Sequence, residues 1–269
     1  MPYITHIGTA TPPNQVQQDK AAEFYINACQ LQSSDARKVR VIYRAAKIDT
    51  RHSVLSDYGG GDAEENTFFP KNSQLEPFPS TQQRMKAYEQ FACGLGKEAI
   101  ENALPADFNY KEITHLITFS CTGMYAPGLD IELVHALGLP QNVHRICINF
   151  MGCYAAFNAL KTAKAFCEAQ KNAKVLAVGV ELCTLHFQKY FTEDQLIANA
   201  VFADCAAAFL LENEPTASKN LEVESLFCNL IPSGNDEMAW HIADFGFEMK
   251  LSSYVPQLLG ENIQAILDE

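Results

Sequence analysis

Cys153 follows Gly152 directly, at the end of a run in which Ile146, Ile148 and Phe150 alternate and at the start of a helical pattern that opens at Tyr154. A thiol placed there can be a nucleophile. The first amides of a helix stabilise a thiolate, and a sharp strand-to-helix turn presents sulfur and backbone N–H groups to one space, an oxyanion hole beside the nucleophile. The same residue can also be a small apolar side chain packed beside a glycine, and position alone leaves both readings open.

A second cluster is basic. Between Asp35 and Arg51, six cations (Arg37, Lys38, Arg40, Arg44, Lys47, Arg51) face two carboxylates, Asp35 and Asp49, a local net of +4 in a chain of net charge −12. It is either a solvated helix face or a place where a polyanionic ligand meets a reversal of sign. The nine cysteines form no CxxC pair, and HExxH and GxxxxGK[ST] are absent, so neither a metal site nor a nucleotide loop is expected. His52 and Asp57 match the HxxxxD pattern of glycerolipid acyltransferases, a two-residue match with no membrane-facing segment beside it.

The elements that must position these residues alternate between β-rich runs and helical periods, which predicts an α/β architecture. Ser80 with Gln83 forms a capping box, and Met85, Tyr88, Ala92, Leu95 and Ala99 continue as an amphipathic helix. His115 to Cys121 reads as a strand, and Asp130 to Leu137 as a helix closed by Gly138 and Pro140. From Tyr154 to about Lys171 the spacing predicts a helix with Ala156, Leu160, Ala163 and Cys167 as its apolar stripe. Lys161, Lys164, Glu168 and Lys171 form its wet face. Strands are expected over Lys174 to Leu182, Cys205 to Glu212 and Glu222 to Ile231, with a linker over 214–221 around Pro215.

Of the 269 residues, 48% are hydrophobic and 19% charged, a globular composition. Apolar stretches such as Val175 to Val180 fall far short of the roughly 20 residues a membrane span needs, and the N-terminus shows no signal-peptide pattern. A cytoplasmic protein with free thiols is expected, binding neither nucleic acid nor membrane.

Four ordered segments carry a resemblance. Asn149-Phe150-Met151-Gly152-Cys153-Tyr154-Ala155-Ala156, ahead of an Ala/Leu/Lys helix and a VLAVGVEL strand, resembles the acyl-accepting cysteine motif of chalcone and stilbene synthases. Thr118 to Asp130 (TFSCTGMYAPGLD) is similar to that family's cavity loop, which reaches the dimer partner. Glu181-Leu182-Cys183 with His186-Phe187 resembles a second cavity segment, and Phe202 to Ala208 (FADCAAA) the segment bearing the gatekeeper phenylalanine. Phe245 to Leu251 and Val255-Pro256 align further along. The chain is therefore identified as resembling a type III polyketide synthase of bacterial type.

That resemblance implies a thiolase-like fold (layered α/β/α/β/α), its first half over 1–213, the linker over 214–221, and the start of a truncated second half over 222–269. It implies Cys153 as nucleophile, with Cys121, Thr122, Ala126, Glu181, Cys183, His186, Phe202, Trp240 and Met249 lining the cavity and a bulky Trp240 making it small. Lys38, Arg40 and Arg44 would bind the phosphates of coenzyme A. The substrates implied are acyl-CoA and malonyl-CoA, with no cofactor and a homodimer as assembly. Departures are plain: Ala203-Asp204-Cys205 stands where Gly-Asp-Gly is expected, and Cys183 and His186 replace hydroxyl residues common in plant members. The family's catalytic His and Asn fall beyond the position of Glu269, and His186 and His241 occupy other motifs. Loss of one such oxyanion donor typically costs about 100- to 1,000-fold, so this stretch alone is expected to extend chains poorly. The alternatives are a ketoacyl-ACP synthase III-like condensing enzyme, coupled to acyl carrier protein, and a catalytically incomplete acyl-CoA-binding fragment.

Overall fold

A computed structural model describes residues 1–60, 68–216, 220–234 and 237–267. In chain order the elements are β1 (Tyr3–Ala10), β2 (Asn14–Gln17), α1 (Gln18–Ala28), α2 (Ser33–Ala45), β3 (Thr50–Ser53), α3 (Thr81–Ala103), β4 (His115–Ser120), α4 (Leu129–Leu137), β5 (His144–Asn149), α5 (Tyr154–Ala169), β6 (Lys174–Leu182), α6 (Glu193–Val201), β7 (Asp204–Glu212), β8 (Leu221–Glu222), β9 (Met238–Ala243), β10 (Gly246–Leu251) and α7 (Val255–Leu267). They fall into two compact units interleaved along the chain: 1–12, 85–182 and 204–226 in the first, 13–84, 183–203 and 227–269 in the second.

The first unit holds a six-stranded mixed sheet of order β5-β4-β6-β7-β1-β8. Strands β5, β4 and β6 run parallel, and β7, β1 and β8 add antiparallel. Strand β6 is central and buried almost throughout, which is why VLAVGVEL reads as a continuous apolar run rather than an alternation. Helix α5 lays Ala159, Ala163 and Cys167 on Ile117, Val175, Ala177 and Leu211. The buried stripe thus starts at Ala155 and Ala159, one residue earlier than the expected Ala156 and Leu160. The alanine face lets the helix approach the sheet closely while Leu160 packs at its margin.

The capping box forms: Ser80 N–H donates to Gln83 Oε1 at 2.8 Å and Gln83 N–H to Ser80 Oγ at 3.4 Å. Tyr88, Ala92, Leu95 and Ala99 are buried. Gly138 closes α4 at φ 63°, a left-handed position glycine takes without strain. The expected strand over Glu222 to Ile231 is corrected to Leu221–Glu222. Strand β1 begins at Tyr3, opposite Glu222, so the ladder offers no further partner. Part of the expected linker, 217–219, lies outside the described residues.

The second unit contains the β2/β3 and β9/β10 antiparallel pairs with helices α1, α2, α6 and α7.

Candidate active site

Cys153 is the N-cap residue of α5, at φ −60° and ψ −19°, and is exposed. The turn delivering it needs two left-handed residues, Phe150 at φ 60° and Gly152 at φ 59°. Glycine adopts this freely; for Phe150 it costs about 1–3 kcal/mol, which surrounding bonds must offset. Phe150 N–H donates to Ser120 O at 3.1 Å and Gly152 N–H to Cys121 Sγ at 3.0 Å. Both acceptors lie at the end of β4, the neighbour of β5.

Glu181, near the end of β6, organises that same β4 end. Its Oε1 accepts Cys121 N–H at 2.9 Å and its Oε2 accepts Thr122 Oγ1–H at 2.6 Å, with Ser120 Oγ at 3.4 Å. Leu182 N–H completes the link by donating to Thr122 Oγ1 at 2.9 Å. Burial pushes the Glu181 carboxyl from 4.5 up to about 7, although Thr122, Cys121 and Ser120 stabilise its charge. Burial and that nearby carboxyl also hold the Cys121 thiol above its ordinary range. Ala126 is exposed on the following loop, which borders a cavity of about 320 Å³ lined by Met124, Tyr125, Pro127 and Cys147 among others.

In the second unit, Cys183, His186, Phe202, Trp240 and Met249 line one pocket together with Phe247. Trp240 and Met249 sit directly opposite in the β9/β10 register. About 20 Å³ of space is left, room for roughly one water. His186 Nδ1 accepts Phe247 N–H at 2.9 Å, so the neutral ring carries its proton on Nε2. Its imidazole stacks on Phe247 with centroids 4.2 Å apart and meets Trp240 edge-on at 5.6 Å. His241 is exposed on β9.

Two arginines hold the backbone around this pocket. Arg51, counted with the basic surface cluster by sequence, is only 2% exposed. Its guanidinium donates to Asn199 O at 2.7 Å, Phe202 O at 3.0 Å and Ala200 O, while Nε donates to Gln18 Oε1 at 2.9 Å. These are the carbonyls that the end of α6 leaves without helical partners. Arg84, which sequence reasoning passed over, is fully buried. It donates to Pro79 O at 2.9 Å, Phe187 O at 3.1 Å and Leu185 O, and lies 4.7 Å over the Phe78 ring. Burial lowers its pKa to about 9, leaving it cationic at neutral pH. A signal for Arg84 was present: it stands four residues before Tyr88, on the helix face that α3 buries.

Of the three candidate phosphate ligands on α2, Lys38 is exposed. Arg40 donates to both oxygens of Glu23, at 2.6 and 3.0 Å, and Arg44 lies 3.9 Å from Asp19. The positive cluster is therefore partly matched within the unit. Asp57 of the HxxxxD match is buried and accepts Phe69 N–H at 2.6 Å, a loop-holding contact.

Residues 2–215 match the sequence family described as "Chalcone and stilbene synthases, N-terminal domain". The chain is 28% identical over 270 residues to "Probable polyketide synthase 1" of Dictyostelium discoideum, covering 99% of this chain and 8% of that much longer protein. Among solved structures it resembles the C-terminal type III polyketide synthase domain of Steely1, a type I/III hybrid from Dictyostelium (TM-score 0.86, 24% identity, 99% of this chain and 72% of that one). It also resembles PKS-I of the brown alga Ectocarpus siliculosus (TM-score 0.84, 25% identity, 99% and 71%). The mixed α/β architecture is that of the thiolase-like fold.

Proposed function

This chain belongs to the chalcone and stilbene synthase family, and from that membership we propose that it is an acyltransferase of the type III polyketide synthase kind that carries its acyl group on Cys153. The observation that carries the reading is the exposed cysteine at the first turn of α5, delivered by a strained turn. The Cys153 thiolate attacks the carbonyl carbon of an acyl-CoA, the C–S bond to coenzyme A breaks, and the released thiolate takes a proton. Malonyl-CoA then loses CO₂ to give an enolate whose carbon attacks the enzyme thioester, forming a C–C bond and freeing Cys153. Helix amides at α5 stabilise the thiolate, and Glu181 sets the backbone that frames it. Trp240, His186 and Phe247 leave their pocket little space, which supports a small cavity there. Lys38, Arg40 and Arg44 are the proposed phosphate ligands, with Lys38 the most available of the three.

A homodimer fits the surface of the first unit. Strand β5 is an edge of the sheet, paired with β4 alone among the described residues, and Met151, Tyr154 and Phe157 are exposed beside it. No described helix is long and apolar enough to cross a membrane, and a cytoplasmic setting with no bound cofactor accords with the proposed chemistry.

The test is product analysis after incubation with acyl-CoA and malonyl-CoA. Products heavier than the starter by whole ketide units, with release of CO₂, support the reading. Condensation with malonyl-acyl carrier protein but not malonyl-CoA would move it to a ketoacyl-ACP synthase III-like enzyme. Binding of acyl-CoA without any condensation would leave a binding fragment.

A further inference from the structure

We propose that Cys121 is a positioning residue for the Cys153 nucleophile, its sulfur acting as the acceptor that holds the Gly152 amide and so sets the turn from which Cys153 projects. This rests on the reading of Cys153 as the acyl-accepting group. The turn has two left-handed residues, Phe150 and Gly152, and a turn of that kind aims successive N–H groups inward as a nest that needs an acceptor. Ser120 O takes the Phe150 amide and Cys121 Sγ takes the Gly152 amide at 3.0 Å. The sulfur is itself held in place, because Glu181 accepts Cys121 N–H with Oε1 at 2.9 Å and Oε2 at 3.2 Å. A connected path therefore runs from the end of β6 through the end of β4 to the residue preceding Cys153. Burial and the Glu181 carboxyl keep Cys121 a neutral thiol, so it accepts the amide without adding a second thiolate beside the nucleophile. Its position in the cavity loop is then secondary to its work on the turn.

The experiment follows the second-order rate of Cys153 alkylation by iodoacetamide against pH, read by peptide mapping so that Cys121 and Cys153 are scored apart. It uses the full chain as wild type, Cys121→Ala and Cys121→Ser, with acyl loading from an acyl-CoA panel measured alongside. Losing the acceptor lowers the Cys153 rate about tenfold and moves its pH profile upward in Cys121→Ala, the effect of one hydrogen bond. Serine, which can accept the same amide, restores the rate to within about twofold. A Cys121→Ala protein whose Cys153 alkylates with the wild-type rate and profile overturns the proposal. So does a Cys121→Ser protein as slow as Cys121→Ala. If Cys121→Ala does not fold, the serine variant alone decides, with hydrogen exchange of the Gly152 amide: protection equal to wild type supports the acceptor role, and lost protection at a wild-type alkylation rate refutes it. Failure of the underlying reading looks different: wild type would take no acyl group from any acyl-CoA while the alkylation series still separated the variants.

Discussion

At the nucleophile turn the organising group is a buried carboxyl that gathers donors: Glu181 draws in Cys121 N–H and the hydroxyls of Thr122 and Ser120. Around the aromatic pocket the organising charges are positive and gather acceptors. Arg51 binds the carbonyls of Asn199, Ala200 and Phe202, and Arg84 those of Pro79, Leu185 and Phe187. Each group matches the backbone polarity left over where its element stops. The end of β4 opens into a loop whose amides turn to side-chain acceptors, Cys121 N–H to Glu181 and Thr122 N–H to Ser120 Oγ, whereas the end of α6 presents orphan carbonyls. The two regions differ most in titration. Glu181 changes charge near pH 7, and Arg84 stays cationic until about pH 9, so mild pH change should loosen the first region and leave the second intact.

The sharpest way to break this comparison is at Arg51. Arg51→Leu takes their partner from the Asn199 and Phe202 carbonyls, at roughly 1–3 kcal/mol each, while Ala200 O keeps Gln18 Nε2 at 2.9 Å, and urea unfolding is expected to show a loss of about 4 kcal/mol. Arg51→Lys keeps the charge without the fork and recovers less than half of it. A loss under about 1 kcal/mol would mean that the cation does not organise the end of α6.

Next in size is the pH response of Glu181. Its folded-state pKa is raised from 4.5 to about 7, so between those values the folded chain holds the proton that the unfolded chain has released. Stability from this group is present in full below pH 4.5, is lost as pH rises, and levels off above about 7. The stability difference between wild type and Glu181→Gln should shrink by on the order of 3 kcal/mol across that window. A difference independent of pH would remove the contrast between the regions.

Arg84→Met is expected to cost about 2 kcal/mol, less than Arg51→Leu. Its Nη2 has no hydrogen-bond partner among the described residues, so removing this desolvated charge offsets part of the lost bonding. The loss should be equal at pH 5.5 and 8. At the bottom of the scale, Arg40→Ala breaks an exposed pair with Glu23 and should leave the thermal midpoint within experimental scatter.

Much of this was legible in residue patterns. The capping box of α3, the buried run of β6 and the Gly152-Cys153 junction all follow from local periodicity and turn chemistry, and the structure places them as read. What periodicity could not reveal is where a charged side chain goes when its partners are backbone atoms. Arg51 reads as one of six surface cations and Arg84 draws no reading, because all of the carbonyls on Arg51 and two of the three on Arg84 come from segments more than 100 residues away. Cys121 was legible as part of a cavity loop, whereas its bond to Gly152 depends on the β4/β5 pairing. The strand expected after Glu222 failed for a similar nonlocal reason, the end of its partner at Tyr3.

The central claim is that Cys153 accepts an acyl group, and the intact mass of the protein after exposure to a panel of acyl-CoAs tests it most directly. The expected spectrum gains the mass of one acyl group in wild type and none in Cys153→Ala. No adduct from any acyl-CoA, or the same adduct in Cys153→Ala, would contradict it.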